Sequence, residues 1–182
     1  ILTPDKHLKT NSLEVDFLKK IRILLVEDNQ MNQMVATGIL NGFGIEMIDI
    51  AANGLEAIAF LQQMPTNESY SVILMDCQMP EMDGYQASTQ IRAGNAGEHN
   101  KMIPIIAMTA NAMAGDRDKC MQAGMSDYVA KPVDPEELFS TIIKYLGDVD
   151  GGRTDKSSID KSPAVNTKVE HQSIDNRLQV WG

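Results

Sequence analysis

Five residues carry the chemistry that this sequence can offer. Glu27 and Asp28 follow the apolar run Ile21-Arg22-Ile23-Leu24-Leu25-Val26, and Asp76 follows Val72-Ile73-Leu74-Met75. Thr109 follows the run from Ile103 to Met108, and Lys131 follows the run from Ser126 to Ala130. Three carboxylates sharing one rim repel one another, and left alone one of them takes up a proton. A hard cation removes the conflict. Mg²⁺ prefers oxygen ligands in octahedral geometry and keeps several waters, so one or two carboxylates and a phosphate oxygen suffice to hold it. Lys131 adds a fixed positive charge and Thr109 a hydroxyl donor. The set suits a tetrahedral anion passed to a carboxylate, because a carboxylate acts as a nucleophile toward phosphorus and forms an aspartyl phosphate. The charge that develops on the equatorial oxygens is then met by Mg²⁺, the lysine and backbone N–H groups.

That set works only if one scaffold brings the five positions together. The apolar runs named above read as buried parallel strands, and Ile45 to Ile50 alternates weakly, as a strand near an edge. Between the strands lie helical stretches. Met31 to Leu40 has apolar residues at helical spacing (Met31, Met34, Val35, Ile39) and ends at Gly42 and Gly44. Leu55 to Met64 follows the turn Asn53-Gly54 and stops at Pro65. Gly84 to Ile91 and Ala110 to Gln122 come next, and Asp134-Pro135-Glu136-Glu137 opens a helix to about Leu146 with an acceptor at the cap and Pro and acids in the first turn. Five strands alternating with five helices imply an α/β domain, a doubly wound parallel sheet covered on both faces. In such sheets, chemistry sits beyond the carboxyl ends of the strands. Four of the five strand ends deliver a polar group there; the second delivers nothing obvious.

The segments Leu25-Val26-Glu27-Asp28-Asn29, Met75-Asp76-Cys77-Gln78-Met79-Pro80-Glu81-Met82-Asp83-Gly84, Met108-Thr109-Ala110-Asn111 and Tyr128-Val129-Ala130-Lys131-Pro132-Val133 resemble the receiver (response-regulator) domains of two-component signalling. Each motif is weak alone; four in order, at the right strand ends, make a specific signal over about residues 20–147. The resemblance implies a flavodoxin-like (βα)5 fold with strand order 2-1-3-4-5. It implies that Asp76 is the phosphoacceptor, that Glu27, Asp28 and Asp76 hold Mg²⁺ with the backbone carbonyl of Gln78, and that Lys131 pairs with a phosphoryl oxygen. Thr109 resembles the switch hydroxyl, Tyr128 the aromatic whose rotamer follows it, and Lys131-Pro132 the family's cis peptide. Glu27 through Asn32 looks most like receivers fused to hybrid sensor histidine kinases. The implied function is transfer of a phosphoryl group from a phosphohistidine to Asp76 in a phosphorelay. The donor would be a histidine kinase dimerisation domain or a histidine phosphotransfer domain. Asn29, Asn32 and Val35 on the first helix and Pro132 and Val133 after the last strand are the candidate docking residues. Val35 is equally able to point into the core.

Composition agrees with a single such domain. The 182 residues are 43% apolar and 23% charged, enough for one good core and too short for two large ones. Residues 1–20 carry net +1 and residues 148–182 net −1, so residues 21–147 hold the whole −9. The excess of acid argues against nonspecific nucleic-acid binding, which wants Lys and Arg. No stretch approaches the apolar length of a membrane span, and no secretory signal is visible. Cys77 and Cys120 make neither a disulfide framework nor a zinc site, and a reducing, cytoplasmic setting fits, with a parent protein anchored in the inner membrane. Residues 1–20 read as a linker from an upstream region, since the first residue is Ile, and residues 148–182 as a polar linker or tail. The apolar end of that tail, Ile174 to Trp181, is open to starting another domain.

Two other classes fit less well. A stand-alone response regulator shares every site residue, but one that binds DNA needs an output domain, and the tail lacks a helix-turn-helix pattern. An aspartyl-phosphate phosphatase or phosphotransferase acting on external substrates needs a general acid beside its nucleophile, often two residues after it, where this chain has Gln78, and a substrate-capping insertion is missing as well. Read singly, Cys77 and Cys120 are small packing residues, most methionines are core filler, and the three histidines are surface residues. Neutralising Asp28 is expected to relieve like-charge crowding in the metal-free fold.

Overall fold

The structure is a computed structural model of the protein, and it describes residues 16–110 and 114–147. What the sequence led us to expect of residues 1–15, 111–113 and 148–182, including Asn111 and Trp181, lies outside the described residues.

Five strands form one parallel sheet: β1 (Arg22–Val26), β2 (Met47–Ala51), β3 (Val72–Asp76), β4 (Ile105–Thr109) and β5 (Asp127–Ala130). Their order is β2-β1-β3-β4-β5, every neighbouring pair parallel, as the resemblance implies. Five helices connect and cover them: α1 (Gln30–Gly42), α2 (Gly54–Gln63), α3 (Gly84–Arg92), α4 (Ala114–Gln122) and α5 (Pro135–Leu146). The central strands are buried along almost their whole length because helices lie on both faces. Successive side chains alternate between the faces. Leu24, Val26, Ile73, Met75, Ile105 and Ala107 pack with Ala57 and Leu61 of α2, Ala87 and Ile91 of α3, and Cys120 of α4. Ile23, Leu25, Leu74, Ile106, Met108 and Val129 pack with Ala36 and Leu40 of α1 and Leu138, Ile142 and Leu146 of α5. Leu18 and Ile21 join that second cluster, so the core reaches upstream of residue 21.

The helix starts follow local chemistry. Asp134 caps α5, accepting from the N–H of Glu137, with Pro135 in the first turn. Asp83 and Gln86 form a reciprocal capping box on α3. Where both ends are described, several element ends differ from the expected ones by one or two residues. Ile45 is buried but lies in the connection that follows the turn at Gly44, whose φ of 90° suits glycine, and β2 starts at Met47. On the edge strand β2, Asp49 pairs with Arg22 at 2.9 Å.

One reading of α1 is corrected. Met31, Met34 and Val35 do not face the core: they are 66%, 71% and 49% exposed, and Ala36 and Leu40 are the buried pair. Methionine as core filler holds for Met64, Met75, Met108 and Met125, but Met47, Met102 and Met121 are also exposed.

Candidate functional site

Four strand ends assemble the site. Asp76 closes β3 and is 5% exposed, Glu27 directly follows β1 and is 1% exposed, and Asp28 beside it is exposed. One carboxylate oxygen from each of these three residues lies within 4.8 Å of the others. Lys131, just past β5, bridges two of them: its Nζ is 2.7 Å from Glu27 Oε2 and 2.8 Å from Asp76 Oδ2. Thr109 closes β4 and is buried, and its carbonyl accepts from the N–H of Lys131 at 2.7 Å, which ties the ends of β4 and β5 together. The Lys131–Pro132 peptide is cis.

Each buried carboxylate has a second support. The N–H of Gln78 donates to Asp76 Oδ1 at 3.2 Å. Glu27 Oε1 accepts from the Asn29 N–H at 3.1 Å and from the Asn32 side-chain amide at 3.0 Å. Asn29 itself caps α1, accepting from the N–H groups of Met31 and Asn32. The electrostatics are set by burial. Burial pushes the Asp76 carboxyl above the ordinary carboxylate range, with the bonds from Lys131 and Gln78 pulling the other way. Burial alone would lower the Lys131 ammonium, but its bonds to Asp76 and Glu27 outweigh that and raise it.

The donor set fits a hard divalent cation. Three carboxylates against one ammonium leave two negative charges uncompensated, all offered ligand atoms are oxygens, and exposed Asp28 leaves the rim open. Outward from Asp28 and Gln78 runs an open cleft of about 530 Å³, bordered by Met79, Pro80, Asp83 and Tyr85. On the other side a smaller cleft of about 160 Å³ joins Glu27 and Lys131 to Asn32, Val35, Pro132 and Val133. The expected docking residues other than Asn29 therefore line one surface next to the site. Tyr128 is half-buried on the face that carries Cys77, Cys120 and Tyr85.

Two features were not foreseen. The end of β2 does contribute: buried Asn53 caps α2 and donates from its amide to Glu81 at 3.0 Å, while the Gly54 N–H donates to the Met82 carbonyl at 3.0 Å. These bonds fasten the loop that follows Asp76. The signal was the Asn53-Gly54 pair, which periodicity reads only as a turn. Cys77 and Cys120 approach to 3.9 Å between sulfurs, and burial pushes the Cys77 thiol up to about 12. A thiol of that kind is a packing group.

The response regulator receiver domain family model matches residues 23–143. The Sensor protein GacS of Pseudomonas syringae pv. syringae is 37% identical over 126 residues, which is 69% of this chain and 13% of that protein. The chain thus spans a small part of such relatives. Among solved structures, the receiver domain of the sensor histidine kinase PA1611 of Pseudomonas aeruginosa, with a magnesium ion coordinated in its active site cleft, is 42% identical with a TM-score of 0.61. That match covers 70% of this chain and 98% of that one. A chain from the co-crystal structure of the Saccharomyces cerevisiae histidine phosphotransfer protein Ypd1 with the receiver domain of its response regulator Ssk1 matches at 29% identity. Its TM-score is 0.64, and the match covers 75% of this chain and 96% of that one.

Proposed function

The chain belongs to the response regulator receiver domain family, and from that premise we propose that residues 21–147 are the receiver of a hybrid sensor histidine kinase, in which Asp76 accepts a phosphoryl group from a phosphohistidine. The observation that carries this reading is the Lys131 ammonium seated between Glu27 and Asp76, with Asp28 completing three carboxylates around one point. An Asp76 carboxylate oxygen attacks phosphorus, the P–N bond to the imidazole breaks, and its electron pair returns to the ring nitrogen. Glu27, Asp28, Asp76 and the Gln78 carbonyl would hold Mg²⁺, which when bound would neutralise charge on the phosphoryl oxygens. Lys131 moves from carboxylate to phosphoryl oxygen, the Thr109 hydroxyl donates to another, and Tyr128 follows Thr109.

The partner is a histidine phosphotransfer domain or a kinase dimerisation domain. It docks on Asn29, Asn32, Val35, Pro132 and Val133, next to the nucleophile. A similar receiver forms a complex with a histidine phosphotransfer protein, which supports the first alternative. Among the described residues no helix is long and apolar enough to cross a membrane. A cytoplasmic domain of a protein anchored in the inner membrane, with residues 1–20 and 148–182 as linkers, completes the reading.

Incubation with acetyl phosphate tests it. Labelling is expected to require a divalent cation and to vanish in Asp76→Asn, which keeps the shape and loses the nucleophile. Persistent labelling of that variant overturns the assignment.

A further inference from the structure

Glu27 has a support that its role as a metal ligand does not by itself require. Its carboxylate is buried, and Oε2 is taken by Lys131 at 2.7 Å. Oε1 receives two donors: the N–H of Asn29, the residue that caps α1, at 3.1 Å, and the side-chain amide of Asn32 at 3.0 Å. Asn32 sits in the first turn of α1 and its own N–H bonds the Asn29 side chain at 3.2 Å. In an ordinary capping box the third-position side chain reaches back to the N–H of the cap residue. Here the buried carboxylate of Glu27 takes the place of that contact and accepts from both. The helix start and the metal site thus share one anion, which also lies at the favourable, positive end of α1.

Asn32 is exposed, so solvent satisfies an outward-turned amide at no loss. It nevertheless turns inward, whereas its neighbours Met31, Met34 and Val35 present side chains to solvent. It also borders the small cleft with Lys131 and Val133. The same side chain is therefore in reach of a docked partner and bonded to the carboxylate that restrains Lys131.

Resting on the receiver reading above, we propose that Asn32 is a positioning residue for the metal site, acting through Glu27. Its amide fixes one carboxylate rotamer, so Glu27 meets the cation and Lys131 without first being ordered. Groups that orient metal ligands from behind commonly change metal affinity by about 10–100-fold when removed.

The test is a calorimetric titration of the full chain with Mg²⁺. Asn32→Leu keeps the side-chain volume and removes the donor, and it is expected to weaken Mg²⁺ binding by about tenfold. Asn32→Ser, smaller and easily accommodated, is expected to weaken it in the same direction. Met34→Gln, on the exposed face of the same helix, is expected to bind as the wild type does. A double-mutant cycle separates positioning from general damage: in a Glu27→Ala background, Asn32→Leu is expected to change Mg²⁺ affinity no further. Wild-type affinity in both Asn32 variants, or an equal loss with and without Glu27, overturns the proposal. A wild-type chain that binds no Mg²⁺ overturns the receiver reading and this proposal together, a result distinct from either of those.

Discussion

Lys131 Nζ and Asp76 Oδ2 lie 2.8 Å apart although their strands, β5 and β3, are not neighbours and β4 runs between them. The ammonium spans the intervening strand end and also holds Glu27. Removing one partner of a buried charge pair leaves the other uncompensated, at a cost of about 3–5 kcal/mol. Here Lys131→Ala orphans two carboxylates, and Lys131 itself is partly exposed, so we expect a loss near about 3 kcal/mol in the absence of metal. A bound divalent cation then replaces part of the missing charge. Thermal melts are expected to show a larger Mg²⁺-induced rise in Tm for Lys131→Ala than for the wild type; equal rises contradict the charge argument.

The Asp76 carboxyl is held above its ordinary range by burial. The native state therefore binds that proton more tightly than the unfolded chain does. The stability linked to it is present in full below the unfolded value of about 3.9 and is lost as pH rises through the raised native value. Asp76→Asn has no proton to lose. Without metal, its Tm advantage over the wild type is expected to grow from about pH 4 to about pH 7. A difference that is flat or shrinks over this range runs against the burial argument.

Two glycines make opposite tests. A Cβ at Gly84 would stand 2.1 Å from the backbone oxygen of Asp76 and 2.9 Å from Met75 Cγ. Gly84→Ala forces α3 away from β3, with an expected loss of about 1–3 kcal/mol and slower phosphorylation of Asp76. Gly38, in the middle of α1, has nothing within 4 Å of the same position, and Gly38→Ala is expected to stabilise by about 0.5–1 kcal/mol. Urea melts of the two variants decide both.

Docking is best probed at Val35, which is 49% exposed and contributes only surface. Val35→Gln is expected to slow transfer from a histidine phosphotransfer domain several-fold while acetyl phosphate labels Asp76 at the wild-type rate. Loss of both reactions would place the damage in the site. Asn32 is unsuited to that experiment, because its amide is bonded to Glu27 and its loss touches both reactions.

The strands and the rim were legible because a parallel sheet writes itself as short apolar runs, and each run from β1, β3, β4 and β5 ends in a residue of the site. What periodicity could not do was choose between two apolar stripes on α1. Met31, Met34 and Val35 make one apolar stripe and Ala36 and Leu40 another, and it is the second that packs against the sheet. Nor does a strand pattern say how deeply each acid sits: Asp28 is exposed, whereas Asp76 is buried and burial raises its carboxyl. The bond from Asn53 to Glu81 joins residues 28 apart in sequence, a pairing with no local pattern to announce it.

The loop after Asp76 closes on itself. The Gly84 N–H returns to the Cys77 carbonyl at 3.2 Å, and Asn53 and Gly54 pin the far side at Glu81 and Met82. A ring fastened at neck and tip does not tolerate a new length, so one inserted or deleted residue there puts the Gln78 carbonyl out of step with Asp76. The segment from Thr66 to Ser69 is the reverse: exposed throughout, and before β3 rather than after it. A reporter or a new pair of chain ends belongs there, at the opposite end of the sheet, where the molecule can be opened without disturbing its chemistry.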